Sequence, residues 1–118
     1  MISMREAYEK IGADYDGASV RLMGEEMLAR FALKFLDDES MDKFEAAMAA
    51  GDAESAFMAV HTLKGVSQNL GLDNLYEPAV VVTEALRDAD TVDGARDGLH
   101  ALRQQYAATM SALREAAE

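Results

Sequence analysis

The stretch His61-Thr62-Leu63-Lys64-Gly65-Val66-Ser67-Gln68-Asn69-Leu70-Gly71 decides how the rest of the chain is read. Placed on a helix over about 54–70 and advanced 100° per residue, it separates into two faces. Ala59, Leu63, Val66 and Leu70 fall within about 40° of the pole opposite His61. Ala56, Val60 and Ser67 widen that stripe into the broad apolar face a core helix needs. Lys64, Gly65 and Gln68 lie within about 60° of the histidine. His61, one of only two histidines in the chain, therefore points away from the core.

That placement has chemical consequences. An exposed imidazole is largely neutral near neutral pH, and the neutral ring carries a nucleophilic nitrogen. Lys64, one turn on, places an ammonium beside any phosphoryl group borne by that nitrogen, a contact worth about 1 kcal/mol in water. Gly65 costs roughly 1 kcal/mol of helix propensity relative to alanine. In mid-helix beside a reactive side chain, it predicts cleared space for the backbone of another protein. Gln68 has the donors and acceptor to bond the second ring nitrogen or a phosphoryl oxygen.

The string HTLKGVSQNLG resembles the signature of histidine-containing phosphotransfer (HPt) domains, roughly H-x-L-K-G-x-x-x-x-L-G. All its fixed positions are filled, by His61, Leu63, Lys64, Gly65, Leu70 and Gly71. The resemblance spans about 14–117 and implies a free-standing phosphotransfer protein. It implies that His61 accepts a phosphoryl group from the aspartate of a response-regulator receiver domain, or of a hybrid kinase's receiver, and passes it to another receiver. Receivers and sensor histidine kinases are then the expected partners, and magnesium is bound by the receiver and not by this chain. No cofactor is expected, and no autokinase activity, because the chain has no Gly-rich nucleotide loop. The alternative is a binding module that docks a receiver or kinase without transferring phosphate; the intact His61, Lys64 and Gly65 weigh against it.

Composition agrees with an α-helical reading. Of 118 residues 50% are apolar, with one proline (Pro78) and no tryptophan, and no period-2 run is bounded by turn residues. The 22 acidic residues outnumber 11 basic ones, for a net charge of −11, which argues against nucleic acid and anionic membranes. The absence of cysteine excludes disulfides and thiol chemistry. No apolar run reaches about 18 residues and MISMREAYEK has no signal region, so a cytoplasmic protein is expected. Two histidines without chelating spacing make a metal site unexpected, and His100 reads as a surface residue.

The expected architecture is all-α: an antiparallel up-down-up-down four-helix bundle with a short N-terminal helical cap, one domain over 1–118 and a monomer. The cap occupies about 1–23, with a Ser3–Glu6 capping box and a stop at Gly12. Bundle helices are expected at about 25–50, 53–70, 74–88 and 92–117. Within 25–50 the apolar set Met27, Leu28, Phe31 and Phe35 gives way to Met41, Phe44 and Met48 with a shift of phase. One long helix or two, with Ser40 as N-cap, both fit; the HPt resemblance favours one. Asp52, Asp73 and Thr91 are the expected N-caps of the later helices, and Gly51 and Gly71 the left-handed stops. Leu75, Ala79, Val82 and Leu86 form one core stripe, and Leu99, Leu102, Tyr106, Met110 and Leu113 another. Phe57 and Met58 are large apolar residues on the His61 side, predicting a docking surface bordered by Thr62, Asn69 and Leu72.

Overall fold

A computed structural model describes residues 1–117; Glu118, at the end of the expected domain, lies outside the described residues. Ordered structure among them is entirely helical, in chain order α1 (Met4–Ile11), α2 (Tyr15–Arg21), α3 (Glu25–Lys34), α4 (Ser40–Ala50), α5 (Ala53–Asn69), α6 (Asp73–Leu86) and α7 (Leu99–Ala117). Short 3-10 turns occupy Phe35–Asp37 and Asp93–Gly98. Helix α5 lies between α4 and α6, and α6 packs in turn on α7. The apolar face of α5 (Ala56, Val60 and Leu63) is fully buried in the core.

Several boundaries follow from local chemistry. The Ser3 hydroxyl accepts from the Glu6 N–H while the Glu6 carboxylate accepts from the Ser3 N–H, and Gly12 closes α1 at φ 71°. Gly51 ends α4 in the left-handed region. At the end of α5, Gly71 N–H donates to the Gln68 carbonyl and Leu72 N–H to the Ser67 carbonyl, the paired bonds of a Schellman stop. Its apolar partner is Leu72, which is fully buried.

Asp52 heads α5. Its carboxylate accepts from the Ser55 N–H at 3.1 Å and the Ser55 hydroxyl at 2.7 Å, and the backbone bond above all holds it below the usual carboxylate range. A carboxylate lowered on folding contributes stability above its unfolded pKa and loses it as pH falls through the folded value. Asp52→Ala should therefore melt below wild type at pH 7, and the gap should narrow as pH drops from about 5 toward 3. A gap independent of pH in a thermal-melt series rules out this source of cap stability.

Several expectations are corrected. Residues 25–50 form two helices and not the single one favoured by the resemblance. The chain tightens at Phe35–Asp37, turns extended at Asp38, and the Asp38 carboxylate accepts from the Ser40 N–H at 2.8 Å. That local bond competes with helix propagation. Ser40 is the first residue of α4 and not its N-cap, a position held by Glu39 without a side-chain bond. The break accounts for the phase shift: α3 buries Leu28 and Ala32 while Phe31 stays 37% exposed at the rim, and α4 buries Met41, Phe44 and Met48.

Asp73 does not cap α6. It is the first helical residue, and the Leu72 carbonyl accepts from both Leu75 and Tyr76 N–H. Pro78 sits inside α6, where the missing N–H leaves the Asn74 carbonyl without its i+4 donor. Finally, the last helix starts at Leu99 and not near 92; Gly94 and Gly98 weaken helix propensity, and the Thr91 hydroxyl instead accepts from Asp93 N–H at the head of the 3-10 segment.

The two core stripes of α6 and α7 are buried at Leu75, Ala79, Val82, Leu86, Leu99, Leu102, Met110 and Leu113. Tyr106 is half-buried and meets Phe35 edge-on at 6.4 Å between ring centroids.

Helices α1 and α2 have a task the sequence did not disclose: they clasp the C-terminus of α5, whose last carbonyls lack intrahelical donors. The buried Tyr8 hydroxyl donates to the Leu70 carbonyl at 2.7 Å. Arg21 donates to the Gln68 and Asn69 carbonyls at 3.0 and 3.2 Å, placing a cation at the negative helix end. Asp14 N–H donates to the Gly71 carbonyl at 2.8 Å.

Candidate functional site

The phase of α5 sets the site. With Ala56, Val60 and Leu63 committed to the core, His61 is exposed, and Gly65 and Gln68 share its side. Above Gly65 there is open space: a Cβ added there meets nothing within 4 Å. Lys64 is half-buried and forms no ion pair with a described residue. A cation on a four-carbon stem with no fixed partner is free to swing toward an anion on the imidazole.

The imidazole stands against Phe57. Their rings stack with centroids 5.7 Å apart and planes 14° from parallel. This follows from the i, i+4 spacing and from the tilt of helical side chains toward the N-terminus, which lays His61 over the preceding turn. Phe57 is only half-exposed, packed against the rim of the core. The Arg87 guanidinium, at the end of α6, lies 5.3 Å from the same ring centroid. Glu84 holds Arg87 through two hydrogen bonds of 2.9 and 3.1 Å. That pairing keeps the Glu84 carboxyl below its usual range, with a smaller pull from Lys64, and raises Arg87.

On the opposite flank Met58 is 59% exposed. With Thr62, Lys43 of α4, Glu54, Ser55 and Ala59 it lines a hollow of about 450 Å³. Thr62 is exposed, its hydroxyl donating to the Met58 carbonyl at 3.0 Å. Asn69 is exposed near a second groove of about 480 Å³, lined by Phe31, Lys34, Phe35, Val66 and Leu70 beside it. Asp37 and Asp38, at the break between α3 and α4, also line it.

Of the predicted set, Met58, His61, Thr62, Gly65, Gln68 and Asn69 are exposed along α5 and Phe57 and Lys64 are half-buried, and two expectations are corrected. Leu72 does not border the site: the Schellman stop turns that side chain into the core, where it is fully buried. Gln68 makes no hydrogen bond to His61; its backbone carbonyl takes the bonds from Arg21 and Gly71. Missed from the sequence were Arg87 and Glu84, whose i, i+3 pairing on α6 is legible but whose meeting with Phe57 depends on how α6 docks. Lys43 was missed for the same reason. His100 is exposed on α7.

Three cations stand along the His61 flank of α5 in a chain with a net charge of −11: Lys64 on α5 itself, Lys43 at the Met58 hollow and Arg87 over the Phe57 ring. Such an arrangement can accept an anionic group on an exposed nitrogen. Among the described residues no carboxylate is hydrogen-bonded to His61 to act as a triad partner, and the chain has no cysteine. Among the described residues no cluster of three or more His, Asp or Glu side chains is placed to hold a metal ion. No helix there is long and apolar enough to cross a membrane.

Comparison with curated proteins and with solved structures returns no match. A family model does match, that of the Hpt domain, over residues 26–116. This is a narrower span than the 14–117 expected from the signature, and α1 and α2 lie outside it. With the match covering most of the chain and the exposed histidine at its centre, this protein belongs to the Hpt domain family, the phosphotransfer modules of two-component phosphorelays.

Proposed function

We propose that this chain is a phosphorelay intermediate that takes a phosphoryl group from a receiver aspartate onto His61 and hands it to a second receiver. The observation that carries the reading is an exposed imidazole with Lys64 and open space over Gly65 on the same helical face. The Nε2 lone pair attacks the phosphorus of the aspartyl phosphate in line; the P–O bond to the receiver breaks, and its carboxylate leaves as the P–N bond forms. Lys64 offsets the phosphoryl charge. The receiver provides the magnesium ion and most of the transition-state stabilisation, since phosphoryl transfer is largely positioning and electrostatics. Met58, Thr62 and Asn69 form the docking rim. The chain works as a cytoplasmic monomer without its own ATP chemistry.

The test is to incubate the purified protein with a panel of phosphorylated receiver domains and follow acid-labile, base-stable phosphate on this chain. Label from at least one receiver supports the relay. If none transfers label but one still binds, the protein is a docking module and the relay reading fails.

Two substitutions probe the face. Lys64→Gln should slow transfer about 10-fold at saturating receiver, the loss of roughly 1.4 kcal/mol of charge stabilisation once the partner covers the site. Transfer unchanged at low salt would remove Lys64 from the mechanism. Gly65→Leu should fold as well as wild type, since a Cβ at this position meets nothing within 4 Å and leucine favours the helix more than glycine does. It should nonetheless slow transfer about 100-fold, because displacing the reacting atoms by about 1 Å has that effect. Stopped-flow transfer beside a melting curve separates the two outcomes.

A further inference from the structure

The His61 ring has no hydrogen bond from any described residue to either nitrogen. An exposed imidazole without such a bond turns freely about its side-chain torsions, and a nucleophile that must meet phosphorus in line gains from having that freedom removed. The contact that removes it is the stack on Phe57, at 5.7 Å and 14°. Phe57 is itself anchored, by packing against the core rim and by Arg87 at 5.3 Å over its ring, which Glu84 fixes with two hydrogen bonds. Core packing, Phe57 and the imidazole thus form a continuous set of contacts.

We propose that Phe57 is a positioning residue for His61: its anchored ring holds the imidazole by stacking, in place of a hydrogen bond to the second nitrogen. The inference rests on the phosphotransfer reading of His61 and departs from the docking role expected of Phe57. A docking residue governs how tightly a receiver binds. A positioning residue governs how fast phosphate moves once the receiver is bound, and by microscopic reversibility it affects loading and unloading alike.

The experiment compares wild type with Phe57→Leu, Phe57→Met and Phe57→Tyr, using the fastest donor receiver of the panel. In NMR spectra of the unphosphorylated proteins, the His61 ring-proton signals should move toward their free-imidazole positions in the Leu and Met variants and stay near wild type in the Tyr variant. At saturating receiver, the Leu and Met variants should transfer about 3- to 10-fold more slowly in both directions, with the half-saturating concentration unchanged and Tyr restoring the rate. Melting curves identify any variant that fails to fold, and the methionine variant keeps apolar bulk without an aromatic face. Wild-type rates at saturation in folded Leu and Met variants overturn the inference. So does a rise confined to the half-saturating concentration, or a failure of Tyr to restore transfer. If wild type takes label from no receiver, the phosphotransfer reading falls and the inference with it, an outcome distinct from the others.

Discussion

His61→Gln should take up no acid-labile phosphate from any receiver, while its stability stays within about 1.5 kcal/mol of wild type. The loss is complete because a carboxamide nitrogen is not nucleophilic, its lone pair being delocalised into the carbonyl. The second histidine cannot substitute: His100 is exposed on a different helix, α7, which packs on α1 and α6. Stability is spared because the imidazole is exposed and its one specific contact, the stack on Phe57, is worth about 0.5–1.5 kcal/mol. Residual label on a folded His61→Gln would place the acceptor elsewhere and dismantle the proposed site.

The largest effect on stability is expected from Gly71→Ala, at about 2–4 kcal/mol, or roughly 10 °C in melting temperature. Gly71 holds φ 68°, which costs an L-residue about 1–2 kcal/mol. The added Cβ would also stand 2.6 Å from the Asp14 carbonyl oxygen and 2.9 Å from the Ala18 Cβ. Backbone cannot yield as a flexible side chain does, so α2 must move. That displacement strains the Asp14-to-Gly71 bond and the Arg21 bonds to the end of α5, at about 1 kcal/mol for each one lost. Gly51→Ala is the control: its φ is 71° but its surroundings are open, so only the backbone cost applies. Equal losses for the two variants, measured by chemical denaturation, would show that the clasp of α2 on α5 contributes nothing.

These two residues, ten apart on one stretch, show what was legible early. The phase of α5 could be read from residue spacing alone, because helical period converts position into direction without reference to any other element. The exposure of His61, the burial of Leu63 and the stops at Gly51 and Gly71 all belong to that class. So do the stripes of α6 and α7 and the Ser3 and Asp52 caps, each a property of contacts four residues apart or fewer.

Tertiary structure decided the rest. Whether 25–50 ran as one helix depended on a local contest at Asp38 that periodicity cannot score, because both outcomes bury apolar side chains. Leu72 looked like an edge of the site by proximity, but the turn at Gly71 reversed its direction. Arg87 reaches Phe57, and Lys43 the Met58 hollow, only through the docking of α6 and α4. The clasp of Tyr8 and Arg21 on the last carbonyls of α5 joins residues more than 45 apart in sequence, as the Tyr8–Leu70 and Arg21–Asn69 bonds show. Sequence by itself determined an all-helical chain with a histidine on an exposed face, since both follow from short-range periodicity. Only the packed structure decided what surrounds that histidine, because the rotation and offset of neighbouring helices are set by how whole side-chain surfaces interlock.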